Sequence, residues 1–142
     1  MLLHYALCLP REAVTVPMAR HLTRDSLREL GVKHTCIEDI ELALGEACAN
    51  VLRHAGGDDE YEIAVDIDGE RCTVRVHDRG RGFDPDAVHP ALADAERGRG
   101  LELMRLLVDE LRIESRIDEG TVVVLAKELT FEAGAVMHDL AR

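Results

Sequence analysis

The sequence predicts an α+β protein, a two-layer α/β sandwich whose sheet is mixed but mostly antiparallel and carries its helices on one face. Three observations lead there. Ile37, Ile40, Leu44, Cys48 and Val51 recur at the spacing of a helix that buries one side. Residues 61–76 alternate apolar with polar or small side chains on both sides of Asp68-Gly69, the pattern of a β-hairpin. The chain as a whole reads strand, helix, helix, hairpin, long polar segment, helix, strand, strand. One sheet with its helices gathered on one face accommodates that order without long crossings.

In order, residues 2–9 form a short strand closed by Pro10. A helix is expected from about Pro17, since proline suits a first turn, with Met18, Leu22 and Leu30 as its apolar stripe and Gly31 as its cap. Thr35, with Glu38 three residues on, predicts a capping box for the next helix, which runs to about His54 and stops at Gly56-Gly57. His54 is expected to cap its end. The hairpin follows, its strands carrying Tyr61, Ile63, Val65 and Ile67, then Cys72, Val74 and Val76. Residues 84–99 are polar and read as a lid-like loop. A helix from about Gly100 is apolar nearly all round, which predicts burial. Strands over 112–117 and 121–127 complete the sheet, and Val122 to Leu125, apolar on both faces, belong near its middle. Residues 1–129 are expected to form one domain, with 130–142 as a tail.

Composition bounds the function. The chain has 142 residues, 46% of them apolar and 32% charged, enough for a core of its own. No apolar run approaches 18 residues, and the opening nonapeptide lacks a basic flank and a small-residue cleavage site, so a cytoplasmic protein without membrane contact is expected. A formal net charge of −11 argues against a direct grip on nucleic acid and leaves a basic protein partner open. Cys8, Cys36, Cys48 and Cys72 show no C-x-x-C pair and no histidine at metal-ligand spacing, so they read as small buried apolar residues in a reducing compartment.

Three stretches bear chemistry. On the second helix, Asp39, Ala43, Glu46 and Asn50 fall roughly opposite the buried stripe, and Glu46 and Asn50 project side by side from consecutive turns. A carboxylate beside a carboxamide can hold a hydrated Mg²⁺ and polarise a nucleophile; the same pattern also describes a solvated polar face. Asp78-Arg79-Gly80-Arg81-Gly82-Phe83 sets a carboxylate at a strand end, followed by glycines that let a flat ligand lie against the backbone. That carboxylate can accept from an exocyclic amine, although an ordinary glycine-rich turn reads alike. Arg97-Gly98-Arg99-Gly100-Leu101 leads into the third helix, whose N-terminus and arginines suit a phosphate chain. It is neither a Walker A nor a Rossmann motif.

Taken together, E-x-x-x-N on a helix, D-x-G-x-G-F, G-x-G-L opening a helix and Gly120-Thr121 entering a strand resemble the GHKL ATP-binding superfamily, over roughly residues 7–129. The E-A-x-x-N-x-x-x-H-A wording is most similar to the bacterial anti-sigma-factor serine/threonine kinases. The resemblance implies the Bergerat-type ATP-binding fold, with ATP and Mg²⁺ as cofactors. It implies that Asn50 ligates Mg²⁺, that Glu46 is the general base, and that Asp78 binds the adenine amine. Gly80 and Gly82 would lie by the ring, Thr121 would support the adenine contact, and Arg97, Gly98, Arg99, Gly100 and Leu101 would close over the phosphates. Arg20, on the first helix, stands where such kinases meet partners. The partners implied are an anti-sigma antagonist as substrate, a sigma factor, and a second copy of the chain. Ala49 departs from the family, where a threonine often precedes the Asn. A module that binds a sigma factor without phosphoryl transfer is the alternative; a histidine kinase is disfavoured because only about 30 residues precede the Glu46 helix.

Overall fold

The computed structural model describes residues 3–54, 60–78, 95–116 and 120–135, without the side chains of residues 54, 95–99, 115 and 116. The elements follow the expected order: β1 (Leu3–Pro10), α1 (Thr15–Glu29), α2 (His34–His54), β2 (Glu60–Ile67), β3 (Arg71–Asp78), α3 (Ala95–Leu107), β4 (Glu110–Arg116) and β5 (Gly120–Glu128). The strands form one sheet in the order β1-β2-β3-β5-β4. All of its pairings are antiparallel, so the parallel component expected of a mixed sheet is absent among the described residues. β5 lies between β3 and β4, near the middle of the sheet as expected. Its Val123 and Leu125 join the helix-side core. Val122 and Val124 alternate to the other face, level with His77 and Arg75 of β3 and with Glu114 and Arg112 of β4.

The core follows from strand alternation. Tyr61, Ile63, Val65 and Ile67 of β2 and Cys72, Val74 and Val76 of β3 are at most 2% exposed. With Val123 and Leu125 of β5 they meet the α2 stripe of Ile37, Ile40, Leu44, Cys48 and Val51. Tyrosine hydroxyls fix α1 on the same face: Thr15 Oγ1 and Tyr61 Oη lie 2.6 Å apart, and Tyr5 Oη donates to Thr23 Oγ1 at 3.1 Å. Both phenols are pushed above the usual tyrosine value by burial.

The helix ends differ from expectation in instructive ways. α1 starts at Thr15, with Pro17 inside its first turn, because the Thr15 hydroxyl is anchored to the Glu12 carbonyl at 2.7 Å. Its end is a Schellman cap: Gly31 N–H bonds Arg28 O, Val32 N–H bonds Leu27 O, and Gly31 takes φ +84°. α2 begins one residue before Thr35, and the Lys33 carbonyl accepts the first helical bond from Ile37, so the Thr35–Glu38 capping box is not the cap. Residues 130–135 return to this junction, where Lys33 N–H bonds Thr130 O at 2.8 Å and Glu132 N–H bonds Gly31 O at 2.7 Å.

Two further expectations are corrected. α3 starts at Ala95, five residues earlier than read, so Arg97 to Leu101 lie within the helix and do not precede it. Nor is it buried all round: Met104 is 1% exposed while Leu106 is 83% exposed, because only one side packs on α2. Lys127 of β5 fastens it, donating to the Leu107 carbonyl at 2.7 Å and pairing with Asp39 of α2 at 3.3 Å. Among the cysteines, Cys36, Cys48 and Cys72 are buried as expected, but Cys8 points to the open face of the sheet and donates to Glu60.

Candidate functional site

The polar side of α2 is covered as well. Ala43 is fully buried, facing Cys72, Val74, Val108 and Leu125, and Asn50 is only 8% exposed. Glu46, between them, is half-buried. The wheel alone left this side open between a site and a solvated face; the sheet covers Ala43, and α3 packs on α2 beside Glu46. Gly100 makes that approach possible, since a Cβ there would lie 3.0 Å from Glu46 Oε2. Two residues taken from separate motifs are thus in direct apposition, Glu46 on one helix and the glycine of the G-x-G on the other.

The second part of the site lies at the end of the sheet. Asp78 closes β3, and its register partners are Tyr61 on β2 and Thr121 on β5. Directly paired residues point to the same face, so the three form one row beneath the helices. Asp78 is 2% exposed and Thr121 5% exposed. A carboxylate that far from water needs a counter-charge, and Arg11 supplies it: Nη1 lies 3.8 Å from Asp78 Oδ1, with the Arg11 side chain 10% exposed. The other guanidinium nitrogen, Nη2, donates to the carbonyls of Val51 and Leu52 at 3.0 and 3.1 Å. These belong to the last turn of α2, directly after Asn50. No sequence motif contains Arg11; the one signal was a cation immediately after the proline that ends β1.

Of the other residues expected in the site, Leu101 is half-buried on α3, and the backbones of Arg97, Gly98 and Arg99 belong to the first turns of that helix. Gly80, Gly82 and the Gly56-Gly57 stop lie outside the described residues, as does the side chain of His54. Arg20 crosses Gly45 on α2, its Cδ 3.1 Å from where a Cβ would stand, and its buried Nε has no hydrogen-bond partner among the described residues. Cys48, behind the site, is no nucleophile: burial pushes its thiol up to about 12, against smaller opposing effects of Tyr61 and Arg20. No group of three or more metal-ligating side chains occurs among the described residues, so a cation here would need oxygen ligands from another source as well as Asn50.

Comparison with known proteins places the chain in a family. Residues 9–127 match the model of the histidine kinase-like ATPase domain family. A serine-protein kinase RsbW from Bacillus velezensis is 30% identical over 137 residues, covering 87% of this chain and 84% of the relative. Its counterpart from Bacillus cereus strain Q1 is 30% identical over 136 residues, with the same coverage of 87% and 84%. Among solved structures, the RsbU and RsbW domains of a Mycobacterium tuberculosis protein superpose with a TM-score of 0.72 at 24% identity. That match covers 92% of this chain and 34% of the other, so the present chain spans about a third of that protein. The SiaB–SiaC complex of Pseudomonas aeruginosa gives a TM-score of 0.59 at 15% identity, over 87% of this chain and 89% of that one, a likeness of fold alone. No described helix is long and apolar enough to cross a membrane. With its matched span and its RsbW relatives, the chain belongs to the histidine kinase-like ATPase domain family.

Proposed function

We propose that this protein is a cytoplasmic anti-sigma-type serine/threonine kinase that binds Mg–ATP and phosphorylates a Ser or Thr of an antagonist protein. The observation that carries the reading is the apposition of Glu46 with Gly100, one helical turn from the buried Asn50. A general base must stand where a hydroxyl can approach it, and Gly100, lacking a Cβ, leaves that approach open.

The residues fit an adenine nucleotide. Asp78 and Thr121 offer a buried carboxylate and a hydroxyl in one row, able to accept from and bond to an amine-bearing base. Asn50 supplies a carboxamide oxygen of the kind that completes a hydrated Mg²⁺ shell. Bound ATP would supply the phosphoryl group. In this reading Glu46 takes the proton from the acceptor hydroxyl, and Arg97 and Arg99 with the first turns of α3 hold negative charge against the helix N-terminus. Gly80 and Gly82 keep the base close to the backbone, and Gly98, Gly100 and Leu101 close over the phosphates with the two arginines. Arg20 contributes to the surface met by the antagonist, a sigma factor or a second copy of the chain.

The test separates catalysis from binding. Glu46→Ala is expected to retain ATP affinity and to lose about 10²–10⁴-fold in transfer of labelled γ-phosphate to a purified antagonist. A variant that phosphorylates at the wild-type rate would leave Glu46 without the role of base. A wild-type protein that binds ATP but never transfers would make the chain a nucleotide-dependent binding module.

A further inference from the structure

We propose that Arg11 is a positioning residue for nucleobase recognition, one that ties the Asp78 carboxylate to the end of the helix bearing Asn50. The inference rests on the kinase reading, in which Asp78 meets the base. The geometry is specific. The Arg11 side chain is 10% exposed and that of Asp78 is 3% exposed, so their ion pair is shielded from solvent. Val51 and Leu52 are among the last four residues of α2, whose carbonyls have no partner within the helix. Arg11 satisfies both with one nitrogen, at 3.0 and 3.1 Å, and faces Asp78 with the other. A guanidinium is a rigid planar fork, so fixing one side on two carbonyls fixes the direction of the other. A cation is also favoured at a helix C-terminus.

Recognition follows from this arrangement. An ionised carboxylate only accepts hydrogen bonds. Adenine presents an exocyclic amine where guanine presents a carbonyl oxygen, so a carboxylate held in one orientation accepts from the first and repels the second. Val51 and Leu52 follow directly after Asn50, so the same guanidinium also fixes the spacing between the base end of the site and its metal end. A lysine would keep the charge but, lacking the fork, would not reach both anchors at once.

The experiment is calorimetric binding of Mg–ATP and Mg–GTP to the full chain, with Arg11→Gln and Arg11→Lys beside wild type. Arg11→Gln is expected to weaken ATP about tenfold or more, the scale of losing a hydrogen bond to a charged group, and to lower the ATP-to-GTP preference by a similar factor. Arg11→Lys is expected to fall between the two. A purely structural Arg11 would lower Tm and leave the nucleotide preference of the folded protein unchanged, and that result overturns the inference alone. Should the variants fail to fold, the guanidinium resonances of Arg11 in ¹⁵N-arginine-labelled wild type are followed. They should shift on addition of ADP and stay in place with tripolyphosphate; no shift with ADP overturns the proposal. Wild type that binds neither nucleotide overturns the kinase reading, and this inference with it.

Discussion

Alanine at Gly100 adds one methyl group at the point where α3 meets Glu46, and its consequences for fold and function should diverge. The new Cβ would lie 3.0 Å from Glu46 Oε2 and 4.0 Å from its Cδ. Ordinary packing distances are about 3.5–4.0 Å, so the carboxylate must retreat by roughly half an ångström. Glu46 is long and half-buried, and turning a side-chain torsion by about 30° costs about 0.5–1.5 kcal/mol. Gly100 is the sixth residue of α3, and alanine in a helix interior is better than glycine by about 0.5–1 kcal/mol. The two nearly cancel, so stability should hold within about 1 kcal/mol and Tm within about 4 °C. Transfer should not hold. A misplacement of about 1 Å can cost about 10²-fold, so a shift half as large, with a methyl in the acceptor's approach, is expected to cost about tenfold or more. The assays are thermal unfolding, ATP binding and phosphoryl transfer on the same preparation. Wild-type transfer in a stable Gly100→Ala variant would refute the placement of Glu46 as base. A Tm fall beyond about 10 °C would show that the backbone, and not the carboxylate, absorbs the contact.

Gly31→Ala should be costly, because φ +84° disfavours any side chain and the new methyl would overlap that of Ala135 and come 3.2 Å from its Cα. A loss of about 2–4 kcal/mol in urea unfolding is expected from the left-handed conformation and the overpacking together, and a loss below about 1 would refute the packing of residues 130–135 on the α1–α2 turn. Asp68 Oδ1 accepts from the Glu70 and Arg71 N–H groups at 2.7 Å each, and those bonds, Arg71 first, hold its carboxyl below the ordinary value. Its contribution is therefore present at neutral pH and is lost as pH falls from about 4 through the lower folded value. Asp68→Ala should cost about 1 kcal/mol at pH 7, with the gap to wild type closing in acid; a gap that widened in acid would reverse the assignment.

Much of this architecture was legible in the residues. The hairpin could be read because alternation has a period of two and a one-residue slip would expose every apolar side chain of β2 and β3. The buried stripe of α2 could be read for the same reason, at the helical period. Gly31 declared its cap because only glycine takes that conformation without penalty. What misled was local chemistry with several outlets. Thr35 and Glu38 spell a capping box that the backbone does not use, and the leucines of α3 suggest burial that only Met104 achieves.

Glu46 and Asn50 could be paired from their spacing alone, because a helix fixes which residues are neighbours, and the family followed from four short motifs in order. The character of that pair could not. A wheel says that Ala43, Glu46 and Asn50 share a side but not what lies against it, and here the sheet covers Ala43 while α3 packs beside Glu46. Likewise, nothing in the chain's order announces that Arg11 reaches Asp78 and the end of α2, or that Gly100 makes room for Glu46. Periodicity is a property of one element and survives in the sequence. Apposition belongs to pairs of elements, and is decided only when helices and sheet pack.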